Sequence, residues 1–143
     1  MTATEPLATD SPADDTSAGD HPSGRIVAIA GPVVDVEFPS GAIPEINTAL
    51  EFDLTIGGDT EVVTVVAEVA QQIGEGRVRA VAMKPTDGLT RGTEVRNTGG
   101  PITVPVGDAV LGHVFNVIGQ PLDVDSIEAT DRWPIHRQPP AFD

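Results

Sequence analysis

The sequence predicts a mainly β protein built around a small, closed, six-stranded antiparallel barrel. Valine and isoleucine together number 28, against six leucines. β-branched side chains lose rotamer freedom in helices but pack well on pleated sheets, so this ratio favours strands. The chain also contains 15 glycines and 13 prolines, which divide it into short segments separated by turns.

The first two predicted strands cover residues 25–30 and 33–38. In the second segment three apolar residues alternate with Asp35 and Glu37, which is the period-two pattern of a half-buried strand. We interpret this acidic pair as a solvated outer face. The intervening Gly31-Pro32 predicts a bulge or a sharp bend.

Three further predicted strands cover residues 50–56, 61–73 and 77–83. The long middle segment places five apolar side chains on one face: Val63, Val65, Ala67, Val69 and Ile73. Gly74-Glu75-Gly76 then separates two alternating segments, which predicts a hairpin.

After a turn at residues 86–88, residues 93–96 form the last predicted strand. No helical spacing separates these strands, so their connections are expected to be antiparallel. A sheet of this size with one apolar face removes its exposed edges by closing on itself. We therefore assign the barrel to residues 24–98.

Residues 1–23 contain no lysine or arginine, and their five acidic residues are Glu5, Asp10, Asp14, Asp15 and Asp20. Such a segment cannot bury enough apolar area to offset its conformational entropy, so we predict a disordered tail.

Residues 99–143 are predicted to open a second domain. Residues 108–113 fit one helical turn capped by Asp108, and residues 114–118 fit a strand that ends at Gly119. The remaining residues have no lasting periodicity and resemble a connector.

The composition excludes several classes of function. Eight basic residues against 22 acidic ones give a net charge of -14, which does not favour nucleic acid or anionic lipid as partners. The absence of cysteine excludes disulfides and thiolate metal sites. No apolar run approaches the roughly 18 residues that span a bilayer, and no secretory signal is present, so we expect no direct membrane insertion.

No nucleotide-binding, catalytic or metal site is predicted. A phosphate loop needs Gly-Lys followed by Ser or Thr, whereas the only lysine, Lys84, stands between Met83 and Pro85. Gly74-x-Gly76 lacks the third glycine of a dinucleotide fingerprint, because that position is Arg79.

Metal ligands are equally scarce. His21, His113 and His136 are far apart in sequence, which does not favour a histidine site. Asp123-x-Asp125 begins like a calcium loop, but it continues with Ile127 and Glu128 where an oxygen ligand and a glycine are required.

Lys84 supports one alternative hypothesis. Ala82-Met83-Lys84 partly matches the exposed Ala-Met-Lys-Met turn of biotin carrier domains, where the lysine amine is modified. Here proline follows the lysine, so an ordinary surface lysine is the simpler interpretation.

Taken in order, the segments after residue 23 resemble the N-terminal part of the beta subunit of bacterial rotary proton-translocating ATP synthases. The strand Val-Val-Asp-Val-Glu-Phe and the turn Thr-Asp-Gly-Leu resemble beta more than the sister alpha subunit. Two departures are His113, where a basic arginine is common, and residues 124–127, where Gly-Pro-Ile is expected. The matching stretches are residues 24–27, 31–39, 43–50, 68–74, 78–83, 86–92, 101–107, 112–123 and 133–137.

The resemblance implies that the barrel alternates with alpha-subunit barrels in the crown of a hexamer. It also implies that residues 99–143 begin an α/β nucleotide-binding domain, whose phosphate loop and catalytic glutamate lie further along the family chain. Mg-ATP, ADP and the central stalk subunit are then expected for the full-length subunit, and this chain alone is expected to be inactive. The complex would lie peripherally on the cytoplasmic side of the membrane, and the isolated chain would be soluble and cytoplasmic. A stand-alone β-barrel interaction module is the alternative.

Overall fold

The computed structural model describes residues 21–56, 61–129 and 131–141. Of the predicted disordered tail, residues 1–20 lie outside this range, and residues 21–23 have no regular secondary structure. The described chain consists mainly of strands, turns and irregular loops, and within it no helix is long and apolar enough to cross a membrane.

Eight strands are present in the described residues. In chain order they are β1 (Gly24–Ala30), β2 (Val33–Glu37), β3 (Thr48–Ile56), β4 (Glu61–Gly74), β5 (Arg77–Ala82), β6 (Glu94–Pro101), β7 (Thr103–Val106) and β8 (Asp131–Pro134).

The first six strands form a closed antiparallel barrel in the order β1-β2-β5-β4-β3-β6. This confirms the predicted fold class. The last two strands pair only with each other, with Val104 opposite Trp133.

The barrel interior is filled by side chains that alternate along each strand, as the period of a strand requires. Phe52 is the largest fully buried side chain and lies in β3 opposite Val65 of β4. The other large, fully buried side chains are Ile26, Leu50, Val34, Val36, Val69, Val78 and Val95.

Two register irregularities shape the β4–β5 hairpin. One extra residue, Ala70, bulges after Val69, and another, Ile73, bulges after Gln72. Ile73 is therefore turned out of the interior and is 36% exposed, so its predicted place on the buried face was wrong. The predicted turn is confirmed, because Glu75 has a φ of 54° between two glycines that also have positive φ.

The barrel closes along a short seam. β1 pairs with β6 at only two positions, Gly24 opposite Val95 and Arg25 opposite Glu94. Beyond them the β5–β6 connection continues the contact, since Ile26 N donates to Thr93 O at 3.0 Å. Leu89 of this connection packs against the core, so the loop covers edges that would otherwise be exposed.

Residues 99–141 differ from the prediction in three ways. The last barrel strand runs to Pro101, beyond the predicted residue 96, and the β7–β8 pair was not predicted. The helical turn is a 3-10 turn at Asp108–Val110, which Gly107 precedes without any side-chain capping bond, so the capping role given to Asp108 was wrong.

The predicted strand at residues 114–118 is a folded-back loop. Asn116 Oδ1 accepts hydrogen bonds from Ile118 N at 3.1 Å and Gln120 N at 2.9 Å, which reverses the chain after Phe115. Gly119 then lies against β7, where an added Cβ would be only 2.6 Å from Pro105 Cδ. A local side-chain hydrogen bond therefore overrides the strand tendency of this valine-rich segment.

Candidate assembly surface

An apolar row crosses the outer wall of the barrel at the end where β1 meets β2. Ala30 lies opposite Val33, and Val33 lies opposite Val81 of β5. The chain neighbours of Val33 and Val81, which are Val34 and Ala80, are fully buried, and Ala30 is itself exposed, so these three side chains point outward. We call Ala30, Val33 and Val81 the outer valine row.

The row is at least partly exposed to solvent: Val81 is 37% exposed and Val33 is half-buried. A sequence pattern that indicates the outer valine row was overlooked. The outward positions of β5 are Arg77, Arg79 and Val81, so the apolar–basic alternation ends with an apolar residue on the outer face.

The acidic residues beside the row are paired. Asp35, on the outer face of β2, receives two hydrogen bonds from the Arg79 guanidinium at 2.8 and 2.9 Å. Glu37 lies 3.7 Å from Arg77 Nε, which is an ion-pair distance. A surface of this kind can be covered by a partner without burying an unpaired charge, which would be costly.

Strand pairing places a fourth residue, Glu68, next to Val81, and its carboxylate contacts a histidine. Glu68 of β4 lies directly opposite Val81, and its Oε2 is 2.8 Å from His136 Nε2.

A second charged cluster joins β3, β4 and β6. Asp53 accepts hydrogen bonds from Arg96 at 2.8 and 3.1 Å and from Thr64 Oγ1 at 2.8 Å. Hydrogen bonds from Arg96 first, and from Thr64 second, lower the pKa of the Asp53 carboxyl below its ordinary value. This cluster links three neighbouring strands on the outside of the barrel.

Acid should weaken the barrel through Asp35. The hydrogen bonds from Arg79 lower the pKa of Asp35, and partial burial opposes them without reversing the shift. A lowered folded-state pKa gives stability that is present above the unfolded value of about 3.9 and lost as pH falls through the folded value. We therefore expect Asp35→Asn to reduce stability at neutral pH and to flatten its fall on acidification. Urea unfolding between neutral pH and about pH 2 measures this.

Asp87→Asn, in an exposed turn, is the matched control and should keep the wild-type acid profile. An Asp35→Asn chain that lost stability with acid as steeply as wild type would contradict the role of Asp35.

Of the residues considered as metal ligands, the structure brings His113 and Asp123 into contact. His113 bonds Asp123 at 2.9 Å, and within the described residues no group of three or more potential metal ligands occurs. Lys84 follows β5 in the long connection to β6, where its Nζ lies 3.3 Å from Thr64 O. The hypothesis of a modified Lys84 stays a prediction.

A cleft with a volume of about 560 Å³ lies between the barrel wall and residues 99–141. Its arginine, Arg132, is already engaged, since it donates to Thr103 Oγ1 at 3.1 Å and to Thr103 O at 2.8 Å. The cleft therefore does not present a free guanidinium to a phosphate.

A family model described as "ATP synthase alpha/beta family, beta-barrel domain" matches residues 26–99, just over half of the chain. The matched range begins in β1 and ends in β6, so it contains nearly all of the barrel and the whole outer valine row.

Proposed function

Because the chain belongs to the ATP synthase alpha/beta family, we propose that it is the barrel part of a beta-type subunit and that it assembles with alpha-type subunits. Family membership implies a place in an ATP synthase complex with other subunits.

The outer valine row carries the proposal. It offers apolar area for a partner, and its acidic neighbours Asp35 and Glu37 each have an arginine within 3.7 Å. The third acidic neighbour, Glu68, is 2.8 Å from His136, which pairs its charge when the imidazole is protonated. Depletion of unpaired charge around an apolar centre is typical of protein interfaces. In the proposed complex an alpha-type barrel covers this row, and the two types alternate in a hexameric crown.

The beta assignment is supported by two stretches of sequence. Residues 33–38 and 86–89 resemble the beta pattern more than the alpha pattern, and both belong to the described barrel and its covering loop. Residues 99–143 would then open the nucleotide-binding domain. Large apolar side chains are exposed there, as expected of a surface that packs against more protein: Leu111, Val114, Val117, Leu122 and Val124.

In the proposed role this barrel contributes assembly, and ATP synthesis from ADP and phosphate is carried out by the assembled subunits with their Mg-nucleotide and the central stalk. The complex would couple synthesis to proton transport from the cytoplasmic face of the membrane. Calorimetry of the chain with Mg-ATP should accordingly give no binding heat, and micromolar binding would contradict this division of roles.

Mixing the chain with an alpha-type subunit tests the assembly directly. Size-exclusion chromatography with light scattering should show a complex that contains both chains. Separate elution of the two at concentrations of about 50 µM, where even weak interfaces associate, would contradict the proposal.

A further inference from the structure

One side-chain contact joins the end of the described chain to the barrel. His136 lies two residues beyond β8, and its Nε2 is 2.8 Å from Glu68 Oε2 in β4. Among the hydrogen bonds and ion pairs of the described residues, this is the one that connects residues 131–141 to a barrel strand. The preceding contact, Ile135 N to Ile102 O at 3.0 Å, goes to the linker between β6 and β7 instead.

The surroundings of Glu68 contain little other charge. Its register neighbours are Ala49 on β3 and Val81 on β5, and both are apolar. On β5 the next outward residue, Arg79, is held by Asp35. Within the described residues, His136 is the one basic group at ion-pair distance from Glu68, and the two form an ion pair when the imidazole is protonated.

The charged groups near His136 contact other residues. Arg137 stacks over the Trp133 ring at 3.7 Å from its centroid, and Ile135 is uncharged. On β3, the next outward residue after Ala49 is Glu51, which lies 3.8 Å from Arg96. The charge of the imidazole therefore acts mainly on Glu68.

We propose that His136 and Glu68 form a pH-sensitive latch, which holds the chain after Ile135 against the barrel when the imidazole is protonated and loosens when it is neutral. Histidine is the side chain that ordinarily changes charge between about pH 5 and pH 8. A neutral imidazole N–H can still donate to the Glu68 carboxylate, so the hydrogen bond persists after deprotonation and the attraction between opposite charges is what is lost. The latch does not depend on the proposed function.

The expected effect is modest because water reaches the pair. The His136 side chain is 45% exposed and that of Glu68 is 19% exposed. Pairs of this kind change an equilibrium by about two- to fivefold, and the ratio of docked to undocked chain should change by that factor across the titration.

Nitrogen-15 heteronuclear NOE values of His136 and Arg137 in the full chain test the latch. In wild type they should fall between about pH 5 and about pH 8 as the segment becomes more mobile. In Glu68→Gln, which keeps the shape but removes the charge, they should be low and nearly constant. In His136→Lys, which carries a permanent cation, they should stay closer to the acid value across the range.

His113→Gln is the matched control, because it removes the other described histidine pair while leaving His136 in place. This variant should keep the wild-type response. Wild-type values that do not change with pH would overturn the latch, and so would a Glu68→Gln chain with an unchanged response. Loss of the response in His113→Gln would also overturn it, because the titrating group would then be His113.

Discussion

Phe52→Ala should lower the free energy of unfolding by about 3–5 kcal/mol, the usual cost of removing a large aromatic side chain from a packed core. Phe52 is fully buried at the centre of β3, opposite Val65 of β4, so the small barrel has little freedom to close over the cavity. Domains are commonly stable by only about 5–15 kcal/mol. The variant should therefore be close to unfolding, as measured by urea denaturation followed by far-ultraviolet circular dichroism.

Val62→Ala is the matched control, since Val62 is also an apolar residue of a barrel strand but is 66% exposed. Its stability should stay within about 0.5 kcal/mol of wild type. A Phe52→Ala chain that lost less than about 1 kcal/mol would show that the barrel interior is not packed as described.

Val33→Asp should weaken association with an alpha-type subunit by about 30-fold or more. The substitution places a carboxylate in the centre of the outer valine row, between Ala30 and Val81, neither of which can pair with it. Covering an unpaired charge at an interface costs about 2–5 kcal/mol. Analytical ultracentrifugation of mixtures across a concentration series measures the change.

Val62→Asp introduces the same charge on the outer wall of β4, opposite Thr55 and away from the row. It should leave the association near the wild-type value, and circular dichroism should show both variants folded. Equal loss of binding in the two variants would indicate a general effect of negative charge, and it would remove the valine row from the interface.

The sequence predicted the barrel well because the pattern that specifies each strand lies within that strand and its adjoining turns. Alternation in residues 33–38 and 77–83, with glycines at the turns, specifies which side chains face inward. The errors occur where a specific contact overrides that pattern. Ile73 follows the alternation in sequence, but the extra residues at Ala70 and Ile73 shift the register and turn it outward.

The candidate surface was harder to predict than the core. The outer valine row combines three strands, and Val33 and Val81 are 48 positions apart, so only the strand order brings them together. The same applies to His136 and Glu68, which are 68 positions apart. Sequence patterns alone indicated an acidic outer face at Asp35 and Glu37 but gave no means of assigning their partners.

The outer valine row lies beside the His136–Glu68 pair. Glu68 lies directly opposite Val81, so a partner that covers the row also reduces the access of water to the His136–Glu68 pair. Charge interactions strengthen when water is excluded. Association with a partner and docking of the chain after Ile135 on the barrel are therefore expected to favour each other.

The central claim is that this barrel assembles with alpha-type subunits, and native mass spectrometry of the two chains mixed in equal amounts tests it most directly. We expect complexes that contain equal numbers of both chains and that disappear with Val33→Asp but not with Val62→Asp. Spectra that contain only the separate chains, or only oligomers of this chain with itself, would contradict it.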